Sequence, residues 1–568
     1  MVVPALAAGS PAGQRSRMAH REQALLGGAT TALVLLRLLL VPFRTGPVLF
    51  ADETGYAMAA RGLAGGAGGQ LSTTSFFHGG YSLLIAPGYA AFANPTTAYR
   101  AALVLGALLA ASVLPLTYLL VRRTTTASPG LALSAGAVGA SFPSLWVFSQ
   151  TTTAEVLLTP LLLVALLLLD GLLAATTRAQ QALLGALLGV VVAASVAVHG
   201  RMLVAAGVLV LGTCVLLARR RLGPRSALAV LAALAGGLVL VRLLDAAVLA
   251  LGYPDRHPAS VVTALQVLGT PAGSRHAMGN LLGQGWYPLV ATFGLLPLSL
   301  PLLLDRGAPL RRRAPVVALA TLTAGLLIAG AIYLDVRSRP DQLVYGRYAE
   351  VGLPILAALG LVAVVQRPPT ARRAVGTAVV VLAATGCIAV VRQASAIPGT
   401  ASRWNVAALP SPTAGLGASR LLFAGLVATV GAVVLARLAR LARCRTTYLT
   451  VGLLLVQLAV GGYAVRQTSY EGQRATYPPG WTSPQAAAAA HPELRVLYDV
   501  DAPDPYGLYV LQHFLPHSQL GLIHGDTELP TGALVISTSD WAVRRAPGAV
   551  MLWRDIGRDL ALWLVPAP

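Results

Sequence analysis

Up to residue 466 the chain is a succession of apolar runs broken by short Arg-rich or Gly/Pro-rich polar stretches. Runs such as Val156–Leu173 and Ala227–Leu251 reach the roughly 18-residue length that lets a helix cross a lipid bilayer. The pattern predicts about thirteen such helices, at 24–43, 98–121, 128–147, 154–174, 181–198, 202–218, 226–251, 287–304, 314–334, 349–366, 374–391, 420–436 and 447–465. Only His199-Gly200-Arg201 divides 181–198 from 202–218. Beyond residue 466 the period changes. The runs LRVLYDVD, LGLIHG, ALVISTSD, AVMLWR and LALWLV read as strands, with a helix near 505–515, and predict a small α/β domain over 467–568. The expected fold class is an all-α polytopic membrane protein with a small α/β domain at its C-terminal end.

Composition agrees with the pattern. The chain has 568 residues, 56% hydrophobic and 11% charged, with a mean hydropathy of +0.69, too apolar for a soluble protein. The 42 basic residues against 21 acidic ones suggest nucleic acid until they are placed. All of them are Arg, and residues 467–568 hold only six Arg against ten Asp and Glu, so the surplus lies wholly in the membrane part. No nucleic-acid partner is expected. Cys214 and Cys387 sit in apolar runs and Cys444 follows an Arg-rich stretch, so no disulfide or metal pattern is implied. Residues 1–23 form a basic polar tail, and the first apolar run is read as a retained span.

The arginines also orient the chain. Arg15, Arg17 and Arg21, Arg122-Arg123, Arg219 to Arg221, Arg311 to Arg313, Arg372-Arg373 and Arg437 fall in alternate connections, which the positive-inside rule makes cytoplasmic. The N-terminus is then inside the plasma membrane, and an odd span count puts 467–568 outside. Acids sort the other way: Asp52, Glu53, Glu155, Asp255, Asp335, Asp341 and Glu350 face outward. Asp245, within a span, is expected to pair with Arg242 on the same helix face. The long connections 44–97, 252–286, 335–348 and 392–419 are all on the outer side, which suggests an active face built from outer loops over the helical scaffold of the membrane domain, 24–466.

Within those loops Asp52-Glu53 stands out, because carboxylates at a membrane boundary are costly unless they have partners or a task. A second acid, Glu155, starts the fourth span after Thr151, Thr152 and Thr153. Either feature has a plain reading, as helix first-turn acids favourable against the dipole. Their company of His, Tyr and Arg in neighbouring loops favours a shared cavity. The candidates around it are His78 and Tyr81 in FFHGGY, Arg201 in AVHGRML, Arg275, Gln284 and Tyr287 near GQGWYPL, and Arg347 and Tyr348 in VYGRYAE. Arg61, Arg256, Arg337 and Arg339 are further outer cations, and Trp286 reads as an interface anchor. In the C-terminal part, Asp499, Asp501 and Asp504 read as a turn, and Pro516 parts His513 from His517 as a helical zinc pair.

The Asp-Glu pair after span one, the acid at the start of span four and the GY…AP segment before span two together resemble the GT-C glycosyltransferases. These include the bacterial aminoarabinose–lipid A transferase, the protein O-mannosyltransferases and the actinobacterial envelope arabinosyl- and mannosyltransferases. The resemblance covers the whole architecture and implies a polyprenyl-phosphate sugar donor, in a membrane lipid setting, and a cell-envelope glycan, lipid or protein acceptor. The sugar would be a pentose or hexose, such as arabinofuranose or mannose. It implies an inverting transfer on the outer face with Asp52 as general base, Glu53 in support and Glu155 in the same pocket. Arg201 and Arg347 are the favoured partners of the leaving phosphate, since a guanidinium offers permanent charge and a fork of donors. Glu155 stands alone where some members carry two acids, and the scattered carboxylates give no ligand spacing for magnesium or manganese, which stays open as a cofactor. Two rival readings remain: a transporter or flippase of a lipid-linked envelope intermediate, and a non-catalytic assembly protein.

Overall fold

Among the described residues, ten helices are long and apolar enough to cross a membrane: His20–Phe43, Pro95–Thr124, Glu155–Ala174, Arg178–Val198, Gly200–Ala218, Pro224–Gly252, Leu310–Tyr333, Ala371–Ala394, Ala418–Leu438 and Thr446–Thr476. An eleventh passage is bent by 69° between Asp341–Val351 and Leu353–Gln366. The computed structural model describes residues 12–48, 51–72, 74–253, 268–303, 307, 309–334, 340–395, 403–409, 416–441, 445–502, 504, 507–518, 520–524 and 531–566. Asp255, Arg256, Asp335, Arg337, Arg339 and Cys444 lie outside them.

The other two expected spans are broken helices. The segment 128–147 forms Pro129–Ala140 and then Pro143–Phe148, because Pro143 has no N–H to continue the first helix and its ring suits the start of a second. The segment 287–304 is interrupted after the helix Pro271–Ala291 by Phe293 and Gly294, with φ of 53° and 77°, before Leu295–Leu303. One end of the bundle is marked by Arg311, which donates to both oxygens of the buried Asp170 at 2.7 and 3.2 Å. The other end carries Asp52, Glu155 and Arg347. Lipid-exposed leucines such as Leu35, Leu36, Leu240 and Leu243 line the outside of the bundle, as expected where the solvent is hydrocarbon.

The long outer loop expected over 252–286 is shorter than that, since the helix Pro271–Ala291 begins well inside it. This moves two residues from their expected places. Trp286 is not an interface anchor: it is buried, and its indole N–H donates to Thr385 Oγ1 at 2.9 Å. Asp245 does not pair with Arg242, which points outward. Its carboxylate meets His78 Nδ1 at 2.9 Å on another element of the fold.

The C-terminal part is a five-stranded mixed sheet in the order β2-β1-β3-β5-β4, with β1 Arg495–Asp499, β2 Gly521–Ile523, β3 Ala533–Thr538, β4 Val550–Asp555 and β5 Leu560–Val565. β1 runs parallel to β2 and β3, while β5 is antiparallel to β3 and β4. Alternation serves both faces: Val496, Tyr498, Leu534 and Ile536 pack on one side, Leu497, Val535 and Trp563 on the other. Asp499 accepts from Ser537 Oγ at 2.7 Å and from the Asp501 amide at 3.1 Å, which makes its loop a turn.

Its helix Gly507–His513 is docked on the helix Asp52–Leu63. Arg61 Nη1 donates to Gln512 O at 2.9 Å, and Thr54 Oγ1 to Tyr509 O at 3.2 Å. Beside these contacts His513 is buried between the rings of Tyr99 and Phe514. Burial, and then the neighbouring Arg61, push its pKa down to about 3 from 6.5, so the docked form holds it neutral. Tyr99 lies edge-on to its ring, and Tyr477 and His513 both close over Gly46. The undocked form binds the extra proton between those two values, so docking is complete above 6.5 and weakens as pH falls, by up to about tenfold per unit. Protection factors of residues 44–48 and 507–513, referenced to the intrinsic exchange rate at each pH, should therefore fall from pH 7.5 to 5.5 in the wild type and not in His513→Leu. A pH-independent pattern in both proteins would refute the coupling.

Candidate active site

The site forms where four connections meet at one end of the bundle. Asp52 opens the helix Asp52–Leu63, and the residue before it, Ala51, has a φ of 68°, a left-handed conformation unusual for alanine. Local strain of this kind needs surrounding structure to hold it. Glu53 supplies that hold. It is fully buried and accepts from Val48 N at 2.8 Å, Tyr99 Oη at 2.6 Å and Thr152 N at 3.0 Å. Arg44 in turn donates to Tyr99 Oη at 2.9 Å. Glu53 thus ties the loop before Asp52 to the start of one span and to the threonine segment ahead of Glu155. Glu53→Ala would leave these donors buried and unpaired, which should cost at least about 3 kcal/mol. A thermal midpoint equal to wild type in lipid would show that the hub is dispensable.

Arg347 joins the two remaining acids. Its Nη1 donates to Asp52 Oδ2, and its Nη2 and Nε donate to Glu155 Oε1 at 2.7 and 3.1 Å. Arg201 Nη2 reaches the same Glu155 oxygen at 3.1 Å. The result is an alternating chain, Asp52–Arg347–Glu155–Arg201, of two carboxylates and two guanidiniums. Glu155 has 3% of its side chain exposed, and Asp52 has 24%, so Asp52 is the acid a second molecule can reach. Among the described residues Glu155 Oε2 and Arg201 Nε have no hydrogen-bond partner although both are buried. Phe148 stacks under Arg347, with the guanidinium carbon 5.9 Å from its ring centre, and Tyr348 lies 5.1 Å from that of Arg201.

The other expected residues divide. His78 is near Arg201's turn: a Cβ on Gly200 would stand 2.4 Å from His78 Nε2, while Nδ1 is held by Asp245. Tyr81 is buried edge-on to Tyr56, 5.5 Å between ring centres, and its hydroxyl lacks a partner among the described residues. Gln284 is buried against Gly330 and Tyr348, also with an unpartnered amide among the described residues. Tyr287 donates to Glu350 and accepts from Ala408 N at 3.1 Å, so it braces the loops. Arg275 is not at the site. It is exposed, and its Nε donates to Pro271 O on its own helix at 3.2 Å.

Sequence patterns did not single out Asn405 or Tyr99. Asn405 Nδ2 donates to Asp341 at 2.6 Å, its backbone oxygen accepts from Gly346 N at 2.7 Å, and its Oδ1 is 3.5 Å from Arg347 Nη1. A lone Asn in a long loop carries no spacing signal, and Tyr99 reads as an ordinary residue of an interface turn.

Among the described residues no group of three or more His, Cys, Asp or Glu is placed to hold a metal ion. Asp52 and Glu155 are engaged by arginine, and two guanidiniums at the same place oppose a divalent cation. This donor set does not fit magnesium or manganese and suits an anion. An apolar groove of about 540 Å³ lies between the first and last spans, lined by Leu36, Leu40, Trp146, Leu458 and Val465. The short helix Pro143–Phe148 separates it from Arg347, with Trp146 on the groove and Phe148 under the guanidinium.

No protein-family model matches the chain, and no curated protein matches it. Among solved structures, ArnT from Cupriavidus metallidurans in the apo state is similar with a TM-score of 0.52 and 16% identity, covering 95% of this chain and 98% of that one. The same protein bound to undecaprenyl phosphate gives 0.50 and 18%, covering 95% and 99%. The arabinosyltransferase EmbB from Mycobacterium smegmatis matches more loosely, with a TM-score of 0.38 and 16% identity over 84% of this chain and 43% of that one. The likeness to ArnT runs through nearly the whole of both chains, and it shows that this membrane protein shares the fold of that structure.

Proposed function

We propose that the chain is an inverting glycosyltransferase that moves a sugar from a polyprenyl-phosphate donor to a hydroxyl of a cell-envelope glycan, lipid or protein on the outer face of the membrane. The observation that carries this reading is the chain Asp52–Arg347–Glu155–Arg201, set at one end of a fold shared with a protein solved with undecaprenyl phosphate. In one displacement the acceptor oxygen bonds to the anomeric carbon, its proton passes to Asp52, and the bond from that carbon to the phosphate oxygen breaks. The charge gathering on the leaving phosphate is met by Arg347 and Arg201, donors fixed before the reaction begins. Glu155 keeps both arginines aimed. Arg347 holds Asp52 as well, so a phosphate that draws Arg347 away frees the carboxylate to act as base. Tyr81 and Gln284, whose polar atoms lack partners among the described residues, are the candidates for sugar hydroxyls.

Purified protein in lipid, given labelled polyprenyl-phosphate arabinofuranose, mannose and aminoarabinose with envelope acceptors, should release polyprenyl phosphate from one of them. Release from none would end the transferase reading. That the site lies at the Arg-poor end of the bundle supports an orientation with the N-terminus cytoplasmic and the sheet domain outside. Reporter fusions after Arg123 and after Gly480 should report opposite sides. The same side for both would overturn that orientation.

A further inference from the structure

Two histidines border the Arg201 turn, and the proposed displacement uses neither. His199 joins the spans Arg178–Val198 and Gly200–Ala218, and its ring turns back past Gly200 so that Nδ1 accepts from the Arg201 amide at 3.3 Å. His78 comes from another element, just ahead of the helix Gly79–Ala91, and a Cβ on Gly200 would overlap its Nε2. Close packing brings the two together. A Cβ on Gly80 would stand 2.6 Å from the carbonyl carbon of Ala197 and 2.8 Å from Val198 N, so the segment after His78 lies directly on the end of the span that leads to His199.

Their protons are fixed by their partners. An amide N–H only donates, so His199 Nδ1 is bare and the ring proton sits on Nε2. Burial first, and then Arg201, hold the His199 pKa well below the usual histidine value, so the ring is neutral; Glu155 opposes them, while His78 and Arg347 add to the lowering. A carboxylate only accepts. Asp245 Oδ2 takes His78 Nδ1 at 2.9 Å, and its Oδ1 takes the Gly79 amide at 3.4 Å. The neutral His78 ring therefore presents a bare Nε2 on the side away from Asp245. Among the described residues neither Nε2 has a hydrogen-bond partner, and both rings are only partly buried.

One N–H and one lone pair are the wrong set for a phosphate, whose oxygens only accept. They suit neighbouring hydroxyls of a sugar, one accepting and the other donating. In the proposed transfer the acceptor meets Asp52, at the opposite end of the charged chain from Arg201, so a sugar beside Arg201 is the one still joined to the phosphate. We propose that His199 and His78 bind neighbouring hydroxyls of the donor sugar, His199 Nε2–H donating and His78 Nε2 accepting. The pair rests on the transferase reading and adds to it the anchoring of the sugar.

The whole chain in lipid is titrated with polyprenyl phosphate alone and with its arabinofuranose, mannose and aminoarabinose esters. One of the sugars should tighten binding to the wild type over the bare phosphate. His199→Asn and His78→Asn each keep a polar atom in the place of Nδ1 and delete Nε2, so the Arg201 turn and the Asp245 contact should survive. Each variant should lose about tenfold of the sugar-dependent affinity, the worth of one hydrogen bond to a hydroxyl, and bind the bare phosphate as the wild type does. Should one variant fail to fold, the other carries the comparison. An equal loss for the bare phosphate would give the histidines to the phosphate, and a raised acceptor KM with intact donor binding would give them to the acceptor. Either result, unchanged sugar affinity in both variants, or no tightening by any sugar would overturn the pair. Sugar-dependent binding that the variants lose, with no release of polyprenyl phosphate by the wild type, would sink the transferase reading and leave the pair standing.

Discussion

Arg347→Gln should be among the most damaging single substitutions in this protein. The side chain is nearly buried and holds Asp52 and Glu155 at once. Its removal leaves Glu155 to Arg201 and leaves Asp52 with no cation. Breaking a buried ion pair by deleting one partner costs about 3–5 kcal/mol, toward the low end here because Asp52 keeps some contact with water. Loss of a preorganised donor to the leaving phosphate should cost a further 10²- to 10³-fold, roughly, in transfer rate. Both effects can be measured, one as a lowered thermal midpoint in lipid and the other as release of polyprenyl phosphate. Arg347→Lys keeps the charge and loses the fork, so it should recover more of the stability than of the rate. A glutamine variant that keeps the wild-type midpoint and rate would remove Arg347 from the centre of the account.

The membrane architecture was legible because bilayer thickness imposes a length on apolar runs, and that length can be read along one dimension. The five strands were legible for a similar reason, since each is a short run of alternating residues between turns. Helix breaks were not. Hydropathy averages over Ser141-Phe142-Pro143 and over Phe293-Gly294, where the backbone departs from the helix while the composition stays apolar. Pairing across the fold was equally hidden. Asp245 has an arginine three residues away on its own helix, yet its partner is His78, 167 residues distant. The two acids at helix starts and the two arginines drew notice as charges at a membrane boundary, and the fold brings all four together. Arg275 carried the same signal and stands apart, because a helix runs where a loop was expected. Glu53 shows a further limit: sequence alone gave no way to tell a carboxylate that binds backbone and tyrosine from one that meets substrate.

Asp52→Asn should retain the fold and lose transfer. Asparagine keeps the size of the side chain and an oxygen that Arg347 can still reach, so the helix start should survive. It has no carboxylate to accept the acceptor's proton, a change that costs about 10²- to 10⁴-fold where general-base catalysis limits the rate. Binding of polyprenyl phosphate should persist, since the contacts proposed for the phosphate are Arg347 and Arg201, which the substitution leaves in place. The decisive measurement is single-turnover release of polyprenyl phosphate by wild-type and Asp52→Asn protein in lipid, with thermal midpoints recorded on the same samples. The account predicts donor-dependent release by the wild type, and at least about a hundredfold slower release by a variant of unchanged midpoint. Equal release by the two proteins would contradict it.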